Sequence, residues 1–232
     1  MKILSLDTSA EVCTAALCED SKLIAETTVN TGNTHSQTLL PVIEQLLKIS
    51  ETAVSEIDCF ACSTGPGSFT GVRIGVSTIK GMAYGKNKPC VSVSTLEALA
   101  HNLVGFDGII CPVMNARRNQ VYNALFECKN GEIVRLCPDR ALSIDELDEE
   151  LSTKSSPIYL VGDGYDITER GFKKTSISYV PERHRVQSAY SVAICAAKKI
   201  SAGDTLTDAE IAPIYLRPSQ AERERNERLG IK

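Results

Sequence analysis

Residues 63–75 constrain the fold of this chain more than any other stretch, because they join a strand-like run to a helix-like run through closely spaced glycines. Gly65 and Gly67 flank a proline, and glycine accepts a positive φ or a close backbone approach that other residues resist. The spacing matches neither the dinucleotide fingerprint nor the P-loop, which has a lysine and a hydroxyl residue after its last glycine. A tight turn with close helix packing is the simpler interpretation, and a turn that cradles phosphate is the alternative.

Composition excludes several classes of protein. The chain has 232 residues, of which 43% are hydrophobic and 23% charged, so it can bury a core as one domain or two small ones. Its apolar runs are too short for a membrane span or a signal peptide, which predicts a soluble, cytoplasmic protein without a membrane partner. The formal net charge of -4 argues against a chain that binds a nucleic-acid backbone by itself.

The nine cysteines are scattered and odd in number, which favours reduced thiols over a disulfide framework. Cys59 and Cys62 form the one C-x-x-C pair, but they lie in a predicted strand. A spacing of three residues in a strand turns the two side chains to opposite faces of the sheet. The pair therefore predicts neither a zinc site nor redox chemistry.

The order of the predicted elements indicates an α/β protein with two units. Three short strands come first, and they are followed by a helix over residues 34–49, a strand before the glycine turn, a helix over residues 72–84, a strand and a further helix. Residues 1–104 form one unit, residues 105–217 a smaller unit, and residues 218–232 a charged tail. Glycines inside the 72–84 helix cost about 1 kcal/mol each against alanine, so we expect another helix to approach closely there.

No residue pattern predicts catalysis by this chain. His35, His101 and His184 are isolated, and none has a second histidine at the spacing that metal-binding helices use. We expect His35 in the first turn of a helix and His101 at a helix end. The sequence also lacks the G-x-S-x-G elbow of a serine hydrolase. We therefore predict no metal site and no catalytic residue.

Three segments in a fixed order carry a resemblance to a known family. They are Asp7-Thr8-Ser9 at the end of the first strand, the glycine-rich residues 64–75, and residues 213–217 with the sequence Pro-Ile-Tyr-Leu-Arg. Together they resemble the TsaB (YeaZ) family over essentially the whole chain. The resemblance implies an actin-like ATPase fold (the ASKHA, ribonuclease H-like class) of two subdomains, each a mixed sheet with helices packed on it. It also implies a role in making threonylcarbamoyladenosine (t6A) in tRNA, at the adenosine next to the anticodon.

In that family the catalyst is the related TsaD subunit, which transfers threonylcarbamoyl from threonylcarbamoyl-AMP and holds a metal with two histidines. The corresponding positions here are Thr95 and Leu99, and Glu97 alone offers a metal too few ligands. The resemblance therefore implies a non-catalytic subunit that binds TsaD. It implies TsaE, a P-loop ATPase, as a third member, and tRNA that is held only through the complex.

The docking face for TsaD is expected on the two helices over residues 34–49 and 72–84. The same face is expected to form a homodimer, which would compete with the TsaB–TsaD heterodimer. The predicted contacts all lie on these helices: Leu39, Ile43, Leu46, Arg73, Gly75, Val76 and Ile79.

Nucleotide binding is a separate question, because an actin-like kinase clamps a metal and phosphates between two hairpins. The candidate residues for the first hairpin and glycine turn are Asp7, Thr8, Ser9, Gly65 and Gly67. The second hairpin, expected within residues 113–122, has no glycine, and its Asn115 stands where family members commonly have aspartate. Residues 162–164 form either a turn beside a nucleotide or a plain turn.

The sequence therefore predicts no required cofactor and leaves weak ATP or ADP binding open. Two other functions remain as alternatives to the partner subunit. One is a stand-alone nucleotide-dependent phosphotransferase or ATPase of the actin-like class, with Asp7 and the glycine turn at the phosphates. The other is a scaffold that binds no nucleotide.

Overall fold

The computed structural model describes residues 1–217 together with Arg225 and Arg228. Within these residues the chain forms eleven strands, arranged in two sheets, and six α-helices. The predicted charged tail lies outside the described residues, apart from the two arginines. The longest helices have 15 residues, and in the described part of the chain no helix is both long and apolar enough to cross a bilayer.

The first sheet contains the three predicted N-terminal strands and the strand that leads into the glycine turn. Its members are β1 (Lys2–Asp7), β2 (Cys13–Glu19), β3 (Lys22–Val29), β4 (Cys59–Gly65) and β5 (Cys90–Ser94). Their order is β3-β2-β1-β4-β5. Strand β1 is antiparallel to β2, with Leu4 opposite Leu17, and parallel to β4, with Leu4 beside Phe60. The sheet is therefore mixed, as the resemblance implies.

Helices cover both faces of the first sheet. The elements are α1 (His35–Ile49), α2 (Phe69–Ala83), α3 (Thr95–His101) and α6 (Ala189–Ser201). Helices α1 and α2 share one core cluster with Leu4 and Leu6 of β1, whereas α6 shares another with Ile3. The alternation of β1 between these cores follows from the period of two in a strand. Cys62 lies in the first of these cores and Cys59 in the second, which confirms that the pair points to opposite faces.

The second sheet is built around its longest strand. Its members are β6 (Gly108–Arg117), β7 (Gln120–Asn123), β8 (Phe126–Lys129), β9 (Glu132–Arg135), β10 (Arg140–Ser143) and β11 (Ile158–Val161). The order is β10-β7-β6-β8-β9, and β11 pairs with β6 in parallel. Helices α4 (Ile144–Ser152) and α5 (Tyr165–Gly171) pack beside it.

One strand prediction is correct in register but not in continuity. The apolar pattern of residues 121–128 predicts a single strand, but β7 ends at Asn123 and β8 begins at Phe126, and both pair with β6 in one register. The buried amide of Asn123 donates hydrogen bonds to the carbonyl oxygens of Pro112 and Ala124, both at 2.9 Å. A side chain thus takes carbonyl groups that a continuous backbone ladder would use, and the strand is interrupted.

The strand order of the first sheet and the two mixed sheets with packed helices confirm the α/β, actin-like ATPase fold class. All nine cysteines are free thiols, as their number indicates. Helix α6 lies within the predicted second unit, residues 105–217, but it packs against the first sheet. The boundaries at residues 104 and 217 stay predictions.

Candidate functional site

A cleft of about 610 Å³ separates the carboxyl end of the first sheet from the second sheet. One wall consists of the turn after β1 and the glycine turn, where Ser9 and Gly67 lie. The opposite wall contains Asn115 and Asp163, and the segment ending at Arg217 closes one side. The cleft thus brings together the segments that the sequence predicted as a nucleotide site, although they come from opposite ends of the chain.

Asp7, the candidate for a phosphate-bound metal, is turned into the protein and is only 1% exposed. Its Oδ1 accepts hydrogen bonds from the Ser9 amide at 2.8 Å and the Ser9 hydroxyl at 2.6 Å. Its Oδ2 accepts one from the Ser63 hydroxyl at 2.5 Å. Burial raises the pKa of Asp7, and these hydrogen bonds act in the opposite direction. The carboxyl group of Asp7 therefore links the turn after β1 to β4.

The glycines of the turn contact this chain's own backbone. A Cβ on Gly67 would collide with the carbonyl oxygen of Ser9, and one on Gly71 with that of Thr8. The Ser68 amide donates to the Ser9 carbonyl at 2.7 Å, and the Thr8 hydroxyl donates to the Gly71 carbonyl at 2.8 Å. The space that the absent side chains leave is thus filled by the turn after β1. We predicted that another helix would approach here, and at Gly71 the ring of His35, the first residue of α1, lies 3.3 Å from the position of a Cβ, behind the turn after β1.

Gly65 and Gly75 behave in the same way. Gly65 has a φ of +124°, and a Cβ there would collide with the carbonyl oxygen of Ile214. A Cβ on Gly75 would lie 2.6 Å from Oγ1 of Thr8. Close packing thus explains each of these glycines, and nucleotide binding by Asp7, Thr8, Ser9, Gly65 and Gly67 stays a prediction.

The second hairpin, between β6 and β7, is closed without glycine. Arg117, Arg118 and Asn119 all have positive φ values, between 53° and 62°. Two left-handed residues in a two-residue loop produce a turn whose twist matches the strands, and asparagine tolerates that conformation well. Asn115 stabilises the hairpin, because its Oδ1 accepts the Arg117 amide at 2.8 Å.

Asp163, in the turn at residues 162–164, lies beside the second hairpin on the same wall of the cleft. Its Oδ1 accepts a hydrogen bond from the backbone amide of Asn115 at 3.2 Å. The side chain is open to the cleft but has protein on most sides, and this partial burial raises the pKa of Asp163 to about 6. The nearby carboxylates of Glu11 and Asp7 add to the increase. Asp163 is therefore protonated more readily than a free aspartate.

His35 and His101 lie where the sequence predicted. His35 is the first residue of α1, and its Nε2 lies 2.7 Å from the carbonyl oxygen of Ala10. His101 is the last residue of α3, and burial lowers its pKa. Its Nδ1 donates to the Glu97 carbonyl, and Lys198 donates to its Nε2. Among the described residues, no group of three or more histidine, cysteine or carboxylate side chains is placed to hold a metal.

Most of the predicted docking contacts point into the core, so these side chains are not available on the surface of α1 and α2. Five of them are at most 3% exposed and belong to the core between these helices and the first sheet: Leu39, Ile43, Leu46, Val76 and Ile79. Gly75 is buried against β1 as well. Arg73 is the one predicted contact that the structure leaves exposed.

The outer face of α1 and α2 carries a second apolar surface, and apart from Arg73 and Ile43 its residues are not among the predicted contacts. Two adjacent grooves of about 710 and 620 Å³ lie there, and Leu40 and Met82 line both. Phe69 and Ile74 line the larger groove, and Leu40 is 61% exposed. Gly81 also lines it, and a Cβ there would meet nothing within 4 Å. The available signal was the apolar residues of both helices that remain once one core stripe is assigned.

A family model described as TsaD, tRNA N6-adenosine threonylcarbamoyltransferase, matches residues 24–223 of the chain. Two proteins described as tRNA threonylcarbamoyladenosine biosynthesis protein TsaB are similar to it. The Bacillus subtilis (strain 168) protein is 37% identical over 162 residues, which are 70% of this chain and 71% of that protein. The Escherichia coli (strain K12) protein is 29% identical over 224 residues, which are 95% of this chain and 96% of that protein.

Solved structures give the same result. A Pseudomonas aeruginosa protein described as similar to peptidase YeaZ superimposes with a TM-score of 0.79 at 26% identity, and the match covers 93% of this chain and 99% of that one. A second structure, described as YeaZ from Pseudomonas aeruginosa, superimposes with a TM-score of 0.78 at 25% identity and the same coverage.

Proposed function

The chain belongs to the TsaB (YeaZ) family and takes part in t6A biosynthesis, and we propose that it acts there as a non-catalytic subunit that binds the TsaD transferase through the outer face of α1 and α2. The observation that carries this proposal is the pair of grooves on that face. Exposed apolar surface on a soluble domain is typical of a protein interface, because leaving it in water is unfavourable.

The details of the face support a helical partner. Gly81 lies in open space on the larger groove, so a partner backbone can come close to α2 without meeting a side chain. Leu40 stands between the two grooves and offers a central aliphatic contact, while Glu44 and Lys48 lie at the smaller groove. An apolar centre with charged residues beside it is the usual anatomy of a specific interface.

The absence of catalysis is part of the proposal and has its own support. Thr95 and Leu99, which the family resemblance aligns with the metal-binding histidines of TsaD, are buried in α3 and offer a metal no imidazole. Asp7 is buried and accepts hydrogen bonds from Ser9 and Ser63. In the proposed complex TsaD carries the chemistry, TsaE supplies ATP turnover, and tRNA is held through the complex in the cytoplasm.

A homodimer through the same face is the competing state. Because both assemblies would bury Leu40 and the larger groove, formation of one excludes the other on a given chain. A variant that weakens TsaD binding through this face is therefore expected to weaken self-association as well.

The test mixes the chain with TsaD from the same source and measures the dissociation constant and threonylcarbamoyl transfer to tRNA. We expect transfer only in the mixture. Leu40→Asp should weaken TsaD binding by at least about tenfold, because an unpaired carboxylate would be buried in the apolar groove. Ile49→Asp is the matched control, since Ile49 is 68% exposed on α1 but lines neither groove.

Equal binding by wild type and Leu40→Asp would remove this face from the proposal. If the wild-type chain did not bind TsaD but hydrolysed ATP, with loss of turnover in Asp7→Ala, the phosphotransferase alternative would be supported. Absence of both activities, with no thermal shift at millimolar ATP, would support the scaffold, because a ligand that binds only the folded state stabilises it.

A further inference from the structure

The segment 211–217 contains a resemblance-bearing motif that lies outside the proposed docking face. Ile211 is buried in the core shared by α1 and α2, which anchors the start of the segment. Further along, the Ile214 amide donates to the Thr64 carbonyl at 2.7 Å. The Ile214 carbonyl lies against Gly65, where only glycine leaves room for it. We call residues 211–217 the strap, because they lie across the glycine turn.

The strap ends at a three-residue stack on the first turns of α2. The rings of Tyr215 and Phe69 are stacked with their centroids 4.5 Å apart and an interplanar angle of 24°. The guanidinium carbon of Arg73 lies 3.9 Å from the centroid of the Phe69 ring. The Nε of Arg73 donates a hydrogen bond to the Tyr215 hydroxyl at 2.7 Å. The Phe69 ring therefore contacts one face of the Arg73 guanidinium group, and the Tyr215 hydroxyl binds its Nε edge.

Arg73 is also the one charged residue among the described residues that line the larger groove. Its neighbours there include Leu40, Ile74 and Met82 together with three hydroxyl residues, so the groove presents a single cation within a mostly apolar, otherwise uncharged surface. Tyr215 takes the Nε hydrogen, and the Nη groups are the donors that a carboxylate accepts as a bidentate pair. The chemistry of the groove thus fits a partner surface that is apolar except for one carboxylate.

We propose that the strap pre-organises Arg73 for a carboxylate of the docked partner, and that Tyr215 is a positioning residue for this contact. An arginine side chain that is free in solution loses rotamer freedom when it pairs, and a side chain that is already held loses less. The strap therefore increases partner affinity from outside the groove. The proposal rests on the proposed function, since the docked partner is the TsaD-type subunit.

The experiment measures TsaD binding by four forms of the chain: wild type, Tyr215→Phe, Arg73→Gln and the double variant. Tyr215→Phe keeps the ring stack and removes only the hydroxyl, so the fold is expected to be retained. We expect it to weaken binding several-fold and Arg73→Gln to weaken it about tenfold or more. The double variant should bind as weakly as Arg73→Gln alone, because the hydroxyl acts through Arg73.

Two further measurements test whether the partner contributes a charged group and provide a control variant. The dissociation constant of wild type should increase with salt, and the slope should fall in Arg73→Gln, because an ionic contact is lost. Tyr84→Phe removes a hydroxyl from a residue that is 78% exposed near the end of α2 and lines neither groove, so it should bind like wild type.

The possible outcomes separate the positioning role of Tyr215 from the proposed function of the chain. Additive effects of Tyr215→Phe and Arg73→Gln, or no effect of Tyr215→Phe on wild type, would overturn the positioning role. If the dissociation constant of Arg73→Gln depended on salt as steeply as that of wild type, the proposed contact with a carboxylate would be overturned. Failure of the wild-type chain to bind TsaD would instead refute the proposed function, and the docking role of the strap with it.

Discussion

The inner and outer sides of α2 both contain glycine, but the two sides face different surroundings. On the inner side, a Cβ on Gly75 would lie 2.6 Å from Oγ1 of Thr8 and 3.0 Å from Cδ1 of Leu6. On the outer side, a Cβ on Gly81 would meet nothing within 4 Å. The inner glycines therefore allow the first sheet to come close, whereas the chain itself provides no contact that would require Gly81.

This difference shows how to separate glycines that serve the fold from glycines that serve an interface. The conformational cost of Gly75 is offset by packing within the molecule, because Leu6 and Thr8 occupy the space. The cost of Gly81 has no such compensation among the described residues. An external partner in the larger groove would provide it.

The largest effect is expected for Gly75→Leu. The added side chain has no space between α2 and β1, so the variant should lose more than about 3 kcal/mol of unfolding free energy, the upper range for overpacking a core. Denaturant unfolding monitored by circular dichroism measures this. Gly75→Leu is thus a test of the inner contact and is unsuitable as a test of docking.

Gly81→Leu is the matched variant on the outer side. It should fold with at least wild-type stability, because leucine has the higher helix propensity by somewhat under 1 kcal/mol. Its affinity for TsaD should fall, because the side chain fills the larger groove. A destabilised Gly81→Leu, or a stable Gly75→Leu, would abolish the distinction between the two sides.

A smaller effect is expected for Thr8→Val. The substitution keeps the shape of the side chain and removes the hydroxyl that donates to the Gly71 carbonyl at 2.8 Å, so it should cost about 1 kcal/mol. Thr78→Val is the control on the groove side, where the hydroxyl donates to the Ile74 carbonyl within the same helix. Because that bond holds no second element, we expect a loss below about 0.5 kcal/mol. Thermal and denaturant unfolding compare the pair, and equal losses would contradict the inner contact.

The smallest effect at neutral pH is expected for Asp7→Asn, at the turn that meets the inner side of α2. Burial raises the pKa of Asp7 above its unfolded value of 3.8, so the folded chain binds this proton more tightly. The associated stability is fully present below the unfolded pKa and is lost as the pH rises through the folded pKa. Asparagine carries no charge there and can still accept from Ser9, so its stability at pH 7 should match or slightly exceed that of wild type.

The measurement for Asp7→Asn is unfolding free energy between pH 4 and pH 8, compared with wild type. As the pH falls, the unfolding free energy of wild type should increase relative to that of Asp7→Asn. A pH-independent difference would mean that Asp7 has an ordinary pKa in the folded protein.

Much of the fold could be predicted from the sequence, because local patterns determine most of its elements. The apolar runs of β1 and β4 and the apolar period of α1 are all short-range features. The free cysteines and the opposite faces of Cys59 and Cys62 follow from number and spacing. The interruption between β7 and β8 could not be predicted, since it depends on hydrogen bonds from a buried asparagine.

By itself, the sequence determined the element order, the fold class and the family, because these depend on local periodicity and on motifs that are intact in the chain. Only the tertiary structure decided which side of α1 and α2 is buried and what the glycines contact. The apolar arc of α1 is wider than one core stripe. The sequence therefore does not show that Leu39 is buried and Leu40 exposed, and only packing against the sheet distinguishes them. The neighbours of Gly65 and Gly75 are Ile214 and Thr8, which are distant in sequence and meet only when the chain is folded.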